Sequence, residues 1–138
     1  MSEERVVKLR FRADPNVLVS VRAQVREAAS VVGCCSQVTS QLEIAVNEAC
    51  SNIIQHAYKG DPSGEIVLEI LNNGTDIIFR LTDFAKPVDP AGIKPRDLRD
   101  IRPGGLGTHF MREIMDDCSF GQLADGSGNC LEMVKKIE

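Results

Sequence analysis

Glu48 and Asn52 are a pair of side chains whose types and spacing could support catalysis. Four residues apart on a helix, they would lie one turn apart on one face, about 40° apart around the helix axis. A carboxylate can act as a general base towards a hydroxyl group, and an amide oxygen can hold Mg²⁺ together with substrate phosphates. Polar pairs at this spacing are also common on the solvated flank of amphipathic helices, so the pair alone leaves both interpretations open.

Asp83 and a glycine-rich run further along the chain could bind a nucleotide. Asp83 ends a predicted strand, where a fixed carboxylate could accept a hydrogen bond from the amino group of adenine, although many loops also begin with Asp. The run precedes a predicted helix, where glycines expose backbone N–H groups to an anion. No Lys follows it, so it is not a P-loop, and an ordinary turn is the alternative. The run consists of Gly104, Gly105, Leu106, Gly107 and Thr108.

The hydrophobic pattern predicts the elements in the first half of the chain that must position these residues. Val7, Leu9 and Phe11 alternate with charged residues, as in a half-buried strand. Asp14 and Pro15 begin a helix with an apolar stripe, and Gly33 ends it. A second helix is predicted from about residue 40 to 58. Two strands follow, with core faces at 66–70 and 77–81, joined by an Asn73-Gly74 hairpin turn.

A loop, a short helix and two further strands complete the predicted order of elements. The helix covers roughly residues 108–117, with Phe110, Ile114 and Cys118 facing inward, and the strands cover about 119–123 and 129–137 around an Asp125-Gly126 turn. The order β-α-α-β-β-loop-α-β-β predicts an α/β (α+β) two-layer sandwich, with a mainly antiparallel mixed sheet and three helices on one face. We expect residues 1–138 to form one domain.

Composition limits the classes of function. The 138 residues are 43% hydrophobic and carry a net charge of −4, which argues against a general nucleic-acid or membrane-surface binder. No apolar run reaches membrane-spanning length, and an acidic amino terminus is unlike a signal peptide. The five cysteines form no C-x-x-C pair, so we predict reduced thiols in a cytoplasmic protein without a zinc site.

Residues 84–106 have a charge balance different from that of the rest of the chain. They contain five basic and three acidic residues and are rich in Pro and Gly, whereas the other residues carry a net charge of −6. A mildly cationic loop before a glycine-rich anion site is suited to cover a triphosphate. We therefore predict a lid over ATP at 84–106, with a solvated charged loop as the alternative.

Taken in order, these motifs resemble the GHKL superfamily of ATP-binding domains, also called histidine-kinase-like ATPases. The similarity is greatest to its anti-sigma factor serine-protein kinases. Residues 47–58 (NEACSNIIQHAY) resemble the N box of that family, and residues 83–90 (DFAKPVDP) resemble its first glycine box. Residues 102–107 (RPGGLG), continuing to 117, resemble the second glycine box. The resemblance covers nearly the whole chain.

The resemblance implies a role for each matched position. Glu48 would be the base that activates a serine hydroxyl, Asn52 would coordinate Mg²⁺, and Asp83 would bind the adenine amino group. Arg102, in the lid, would assist phosphoryl transfer. The other implied nucleotide contacts lie in the two glycine boxes: Ala85, Pro87, Gly104, Gly105, Leu106, Gly107 and Thr108. The family usually has Gly where this chain has Ala85.

The resemblance also implies ATP and Mg²⁺ as cofactors, and specific partners. The expected substrate is a serine of a STAS-domain anti-anti-sigma factor, the second partner is a sigma factor, and the chain would form a homodimer. No nucleic acid or membrane partner is expected. The alternative, favoured by Ala85, is an interaction module of the same fold that switches partners without phosphotransfer. A hydrolase of the DNA-repair or topoisomerase type is disfavoured, because such enzymes use further domains to couple hydrolysis to movement.

Overall fold

A computed structural model describes residues 3–85 and 111–137 of the chain. Its elements follow the predicted order. They are β1 (Glu4–Arg12), a 3-10 turn (Pro15–Val17), α1 (Leu18–Val32), α2 (Ser36–Asn52), a π-helical turn (Ile53–Ala57), β2 (Glu65–Asn72), β3 (Asp76–Asp83), β4 (Asp117–Gln122) and β5 (Asn129–Lys136). Residues 111–114 are also helical.

The strands form one five-stranded sheet in the order β1-β2-β3-β5-β4. All four described strand pairs are antiparallel, which confirms the predicted architecture. The Asn73-Gly74 hairpin is confirmed too: Gly74 has a φ of 101°, a left-handed conformation that glycine adopts without steric cost. Hairpins join β2 to β3 and β4 to β5, whereas β1 and β2 pair across the two helices, and β3 and β5 are neighbours although β4 lies between them in the chain.

Both predicted ends of α1 are confirmed. Asp14 precedes the first turn, where its carboxylate accepts a hydrogen bond from the Asn16 N–H at 2.9 Å, and Pro15 follows it. Gly33 ends the helix with a φ of 102°, and its N–H donates to the Ala29 carbonyl. Asp14 therefore caps the 3-10 turn that leads directly into α1, and a left-handed glycine ends the helix.

The predicted start of α2 is wrong by four residues. The helix begins at Ser36 rather than near residue 40, after Cys35, whose side chain makes no capping hydrogen bond. Its first turn contains only one apolar residue, Val38, so neither a capping residue nor an apolar period indicates where the helix starts. At its other end the helix widens into the π-helical turn, in which the Tyr58 N–H bonds to the Ile53 carbonyl at 3.0 Å.

The predicted extent of the third helix is wrong at its carboxyl end. Its residues before 111 lie outside the described part of the chain. The described helical residues end at 114, and the Asp116 N–H bonds to the Val134 carbonyl of β5 at 2.9 Å. After residue 114 the backbone pairs with the sheet, although the spacing of apolar residues there is still compatible with a helix. Met111 of this helix and Met115, directly after it, are buried, whereas Ile114 and Cys118, predicted to face inward, are half-buried.

Helices α1 and α2 pack on one face of the sheet and enclose the core. The stripes predicted for both helices supply one side, including Val25, Leu42 and Val46, which are fully buried. The sheet supplies Leu68 and Phe79, which are also fully buried. Burial of each such side chain contributes about 1.5–3 kcal/mol, so this interface holds the functional elements in place.

The cysteines are free thiols, as predicted. Cys50 lies on the core face of α2, where burial raises its pKa to about 12 and keeps the thiol protonated. No helix in the described residues combines the length and the apolar character that are needed to cross a membrane.

Candidate functional site

Glu48 and Asn52 lie on α2, one turn apart, as their spacing predicts. Both side chains are half-buried at the flank of the helix, next to core residues such as Ala49. Asn52 is the last residue of α2, immediately before the π-helical turn. Such turns are frequent at functional sites because they change the direction in which side chains leave a helix.

Glu48 borders an open cavity of about 330 Å³ between α1 and α2. Arg22 of α1 is fixed at this cavity, since its guanidinium donates to the Asn47 side-chain oxygen at 2.7 Å. Arg26 makes two hydrogen bonds to Glu43, at 3.0 and 3.1 Å. The cavity therefore offers a carboxylate, a positioned cation and an apolar surface to a binding segment. Its lining residues are Arg22, Ser40, Glu43, Ile44, Asn47 and Glu48.

Asp83 is the last residue of β3 and is only 3% exposed. One carboxylate oxygen, Oδ1, accepts hydrogen bonds from the Asn129 amide at 3.0 Å and from the Ala85 N–H at 3.1 Å. Burial raises the pKa of Asp83, and these two hydrogen bonds oppose that effect. Within the described residues no hydrogen bond is made to Oδ2, so this oxygen is available to an external donor.

Asn129 is a site residue that the sequence reasoning missed. It is the first residue of β5, 1% exposed, and is paired with Asp83 in the sheet. Its Nδ2 group donates to Asp83, and its Oδ1 atom is buried without a hydrogen-bond partner in the described part of the chain. The only sequence signal is an Asn after the Asp125-Gly126 turn, and linking it to Asp83 requires knowing that β5 pairs with β3.

Gly128 allows the second hairpin to approach Asp83 closely. A Cβ atom at this position would lie 2.0 Å from the Asp83 carbonyl oxygen and 3.0 Å from the Phe84 Cα. No larger residue fits without backbone movement. The glycine therefore permits Asn129 to reach the Asp83 carboxylate.

Ala85 is 7% exposed and follows directly from β3. Among the non-glycine residues that the structure describes, Lys59 alone has a positive φ, so Ala85 does not occupy the left-handed region. The backbone at this position accepts alanine without conformational strain, although the family usually has glycine there.

The remaining predicted site residues lie outside the described residues, as does the predicted lid from residue 86 onward. They are Pro87, Arg102, Gly104, Gly105, Leu106, Gly107 and Thr108. The structure therefore describes two parts of the predicted site, the Glu48–Asn52 helix face and the Asp83 turn.

The described residues contain no group of three or more His, Cys, Asp or Glu side chains that could hold a metal by themselves. The predicted metal residue, Asn52, contributes one amide oxygen. This donor set suits Mg²⁺, which is commonly held by one or two protein oxygens together with substrate phosphates and water.

Comparison with known proteins identifies the family of this chain. Residues 11–135 match the family model of the histidine kinase-like ATPase domain. The serine-protein kinase RsbW of Bacillus licheniformis is 31% identical over 121 residues, which cover 80% of this chain and 74% of that protein. The RsbW of Listeria monocytogenes is also 31% identical, over 80% of this chain and 76% of that protein. RsbW of Bacillus subtilis is 29% identical over 95% of this chain and 85% of that protein.

A solved structure confirms the predicted fold. The RsbU and RsbW domains of Rv1364c from Mycobacterium tuberculosis align with a TM-score of 0.67 at 16% identity. The alignment covers 99% of this chain and 32% of the solved chain, so this chain corresponds to about a third of that structure. The match of residues 11–135 and the identity to the RsbW proteins show that the chain belongs to the histidine kinase-like ATPase family, in the group of anti-sigma factor serine-protein kinases.

Proposed function

We propose that this chain is an ATP- and Mg²⁺-dependent serine kinase that phosphorylates a STAS-domain anti-anti-sigma factor and sequesters a sigma factor. The observation that carries the proposal is the state of Asp83. Its carboxylate is buried at a strand end, with Oδ1 engaged by two N–H donors and Oδ2 available. An acceptor held in this way suits the amino group of adenine, which donates one directed hydrogen bond.

In the proposed reaction, Glu48 accepts the proton of the substrate serine hydroxyl. The serine oxygen attacks the γ-phosphorus of ATP, the bond to the β–γ bridging oxygen breaks, and ADP leaves. Asn52 would hold Mg²⁺, which would supply positive charge to the phosphates. The cavity beside Glu48 supports this assignment, because it gives a serine-bearing segment a route to the carboxylate.

The glycine boxes supply the other proposed contacts with the nucleotide. In this proposal Ala85 and Pro87 would contact the adenine end of the nucleotide, and the phosphates would be bound by Arg102, Gly104, Gly105, Leu106, Gly107 and Thr108. Exposed backbone N–H groups suit an anion at such a run. These assignments rest on the family motifs.

Transfer of labelled phosphate from γ-labelled ATP to a purified STAS-domain protein tests the proposed function. Glu48→Gln should lower kcat by about 100-fold or more, because it removes the base, and should change ATP affinity little. Glu27→Gln is the control, since Glu27 is an exposed carboxylate of α1 that does not line the cavity, and the variant should keep the kcat of the unmodified chain. Equal activity of Glu48→Gln and the unmodified chain would exclude Glu48 as the base.

The same assay separates the kinase from a partner-binding module without phosphotransfer. ATP binding and partner binding without phosphate transfer would favour the module. We also propose a homodimer that holds the sigma factor, on the basis of the family. Light scattering of the chain, alone and mixed with a sigma factor, should show two copies and then a larger complex that the unphosphorylated STAS protein dissociates.

A further inference from the structure

Tyr58 connects the two described parts of the candidate site. It follows the π-helical turn that continues α2, and its side chain reaches the turn after β3. The phenolic oxygen accepts a hydrogen bond from the Phe84 N–H at 2.7 Å and donates one to the Glu65 carbonyl at 2.5 Å. The hydroxyl thus joins the end of the Asn52 helix to the residue after Asp83.

The position of the Tyr58 ring is fixed by Gly64. A Cβ atom at residue 64 would lie 2.5 Å from the Cδ1 and Cε1 atoms of the ring, so the ring occupies the space that glycine leaves open. The ring is half-buried, and burial is the main cause that raises the Tyr58 pKa. The hydroxyl therefore keeps its proton and can donate it to the Glu65 carbonyl.

The Phe84 N–H lies just beyond the end of the β3 ladder. Regular pairing ends at Asp83, so this N–H depends on a side chain or on water for a partner. Asp83 and Ala85 are held separately, by the Asn129 amide and by the hydrogen bond from the Ala85 N–H to the Asp83 carboxylate. Tyr58 provides the remaining constraint on the turn.

We propose that Tyr58 is a positioning residue of the nucleotide site: its hydroxyl holds the Phe84 backbone so that the Asp83 carboxylate faces the amino group of adenine. The inference rests on the proposed function, because it assumes that adenine binds at Asp83. It predicts a contribution to recognition of the base, since small displacements of a positioned group reduce its effect strongly.

Calorimetric titration with two nucleotides tests this role. Mg-ATP carries the 6-amino group, whereas Mg-purine riboside triphosphate has a hydrogen atom in its place. The unmodified chain should bind ATP about 10-fold or more tightly than the analogue, as expected for a hydrogen bond to a charged group. Tyr58→Phe, which keeps the ring and removes the hydroxyl, should raise the Kd for ATP about 10-fold and that for the analogue less than 2-fold.

Ser63→Ala is the matched control, since it removes a hydroxyl hydrogen bond to Asp61 in the same loop and should alter neither Kd. Gly64→Ala provides a second variant, because its Cβ displaces the ring while the hydroxyl remains. It should reproduce the selective loss for ATP.

Three results would overturn the positioning role. The first is an equal rise in the Kd of both nucleotides on Tyr58→Phe, and the second is no change in either Kd. The third is failure of the variant to fold, which would make Tyr58 a residue needed for overall stability. If the unmodified chain binds neither nucleotide, the proposed function fails and the role of Tyr58 fails with it. If Asp83→Asn weakens ATP binding and Tyr58→Phe does not, only the positioning role fails.

Discussion

Asp83 combines a buried position with a charge, and this conflict is resolved only in part by the protein itself. Two N–H donors stabilise its ionised form, but burial dominates and raises its pKa. A carboxylate held in this state costs folding free energy at neutral pH and keeps an acceptor ready for a ligand. Function at this residue is therefore expected to oppose stability.

The first prediction concerns Asp83→Asn. The pKa of Asp83 is higher in the folded chain than its ordinary value of 3.8. The ionised carboxylate therefore destabilises the fold increasingly as the pH rises from 3.8 towards the folded-state pKa. The amide removes this cost. Relative to the unmodified chain, the variant should therefore gain unfolding free energy as the pH rises above 3.8, as measured by urea unfolding. ATP affinity should fall about 10- to 100-fold.

Asp61→Asn serves as a control, because it should change the unfolding free energy at neutral pH in the opposite direction. Hydrogen bonds from Ser63 lower the Asp61 pKa below its ordinary value of 3.8. This carboxylate therefore stabilises the fold at pH values above 3.8 and loses its effect as the pH falls through the lowered pKa. Its replacement should cost stability at pH 7 and nothing at the acid end. A fall in the relative stability of Asp83→Asn towards pH 7 would contradict the assignment of a raised pKa.

At the scale of elements, the site depends on how the ends of β3 and β5 meet. The β4–β5 hairpin returns the chain so that Asn129 pairs with Asp83, and Gly128 leaves room for that approach. The turn itself is stabilised locally, because Asp125 accepts hydrogen bonds from the Ser127 N–H at 3.0 Å and from its hydroxyl at 2.6 Å. A local turn thus carries a residue into a site formed by distant strands.

Gly128→Ala tests this close approach. The added Cβ would lie 2.0 Å from the Asp83 carbonyl, so the hairpin must shift, at a cost of about 1–3 kcal/mol in chemical unfolding, and ATP affinity should fall with it. Gly121→Ala in β4 is the matched control, since no atom lies within 4 Å of its added Cβ, and it should change stability by less than about 0.5 kcal/mol. If both substitutions changed stability and ATP affinity equally, the close approach of Gly128 to Asp83 would not be needed for either property.

At the scale of the whole molecule, the two faces of the sheet differ in composition and in how much they stabilise the fold. One face packs against α1 and α2 through an apolar core. The other carries cross-strand ion pairs, among them Arg10–Glu65 at 2.8 Å and Arg80–Glu132 at 2.6 Å. Such partly exposed pairs contribute little stability, about 0–1 kcal/mol each. Stability therefore comes mainly from the helix-covered face, at whose border Glu48, Asn52 and Asp83 lie.

The prediction at this scale is that Mg-ATP stabilises the entire fold. At about 100 times its Kd, a ligand that binds only the folded state adds about 2.7 kcal/mol. For a chain of this length we expect the Tm to rise by roughly 10 °C in a calorimetric scan. Chelation of Mg²⁺ with EDTA, or Asn52→Ala, should remove most of the rise, whereas Asn47→Ala should leave it intact. Undiminished stabilisation by ATP in EDTA would contradict the role assigned to Asn52.

Local patterns in the sequence were sufficient for much of the fold and for part of the site. The alternation at Val7, Leu9 and Phe11, the Asp14 cap and the Asn73-Gly74 turn each determine nearby backbone, so these predictions are confirmed. Glu48 and Asn52 share a helix face for the same reason, since four residues of helix are one turn. The start of α2 was missed because Cys35 gives no capping signal.

Contacts between distant segments were decided by the tertiary structure alone. Asn129 reaches Asp83 across 46 residues because β5 pairs with β3 instead of only with its hairpin neighbour, and Tyr58 bonds to the Phe84 N–H across 26 residues. By itself, the sequence determined the order of the elements and the candidate residues Glu48, Asn52 and Asp83. Strand pairing and packing determined which groups hold Asp83 in place, because these contacts join segments far apart in the chain, and no local pattern indicates that β5 pairs with β3.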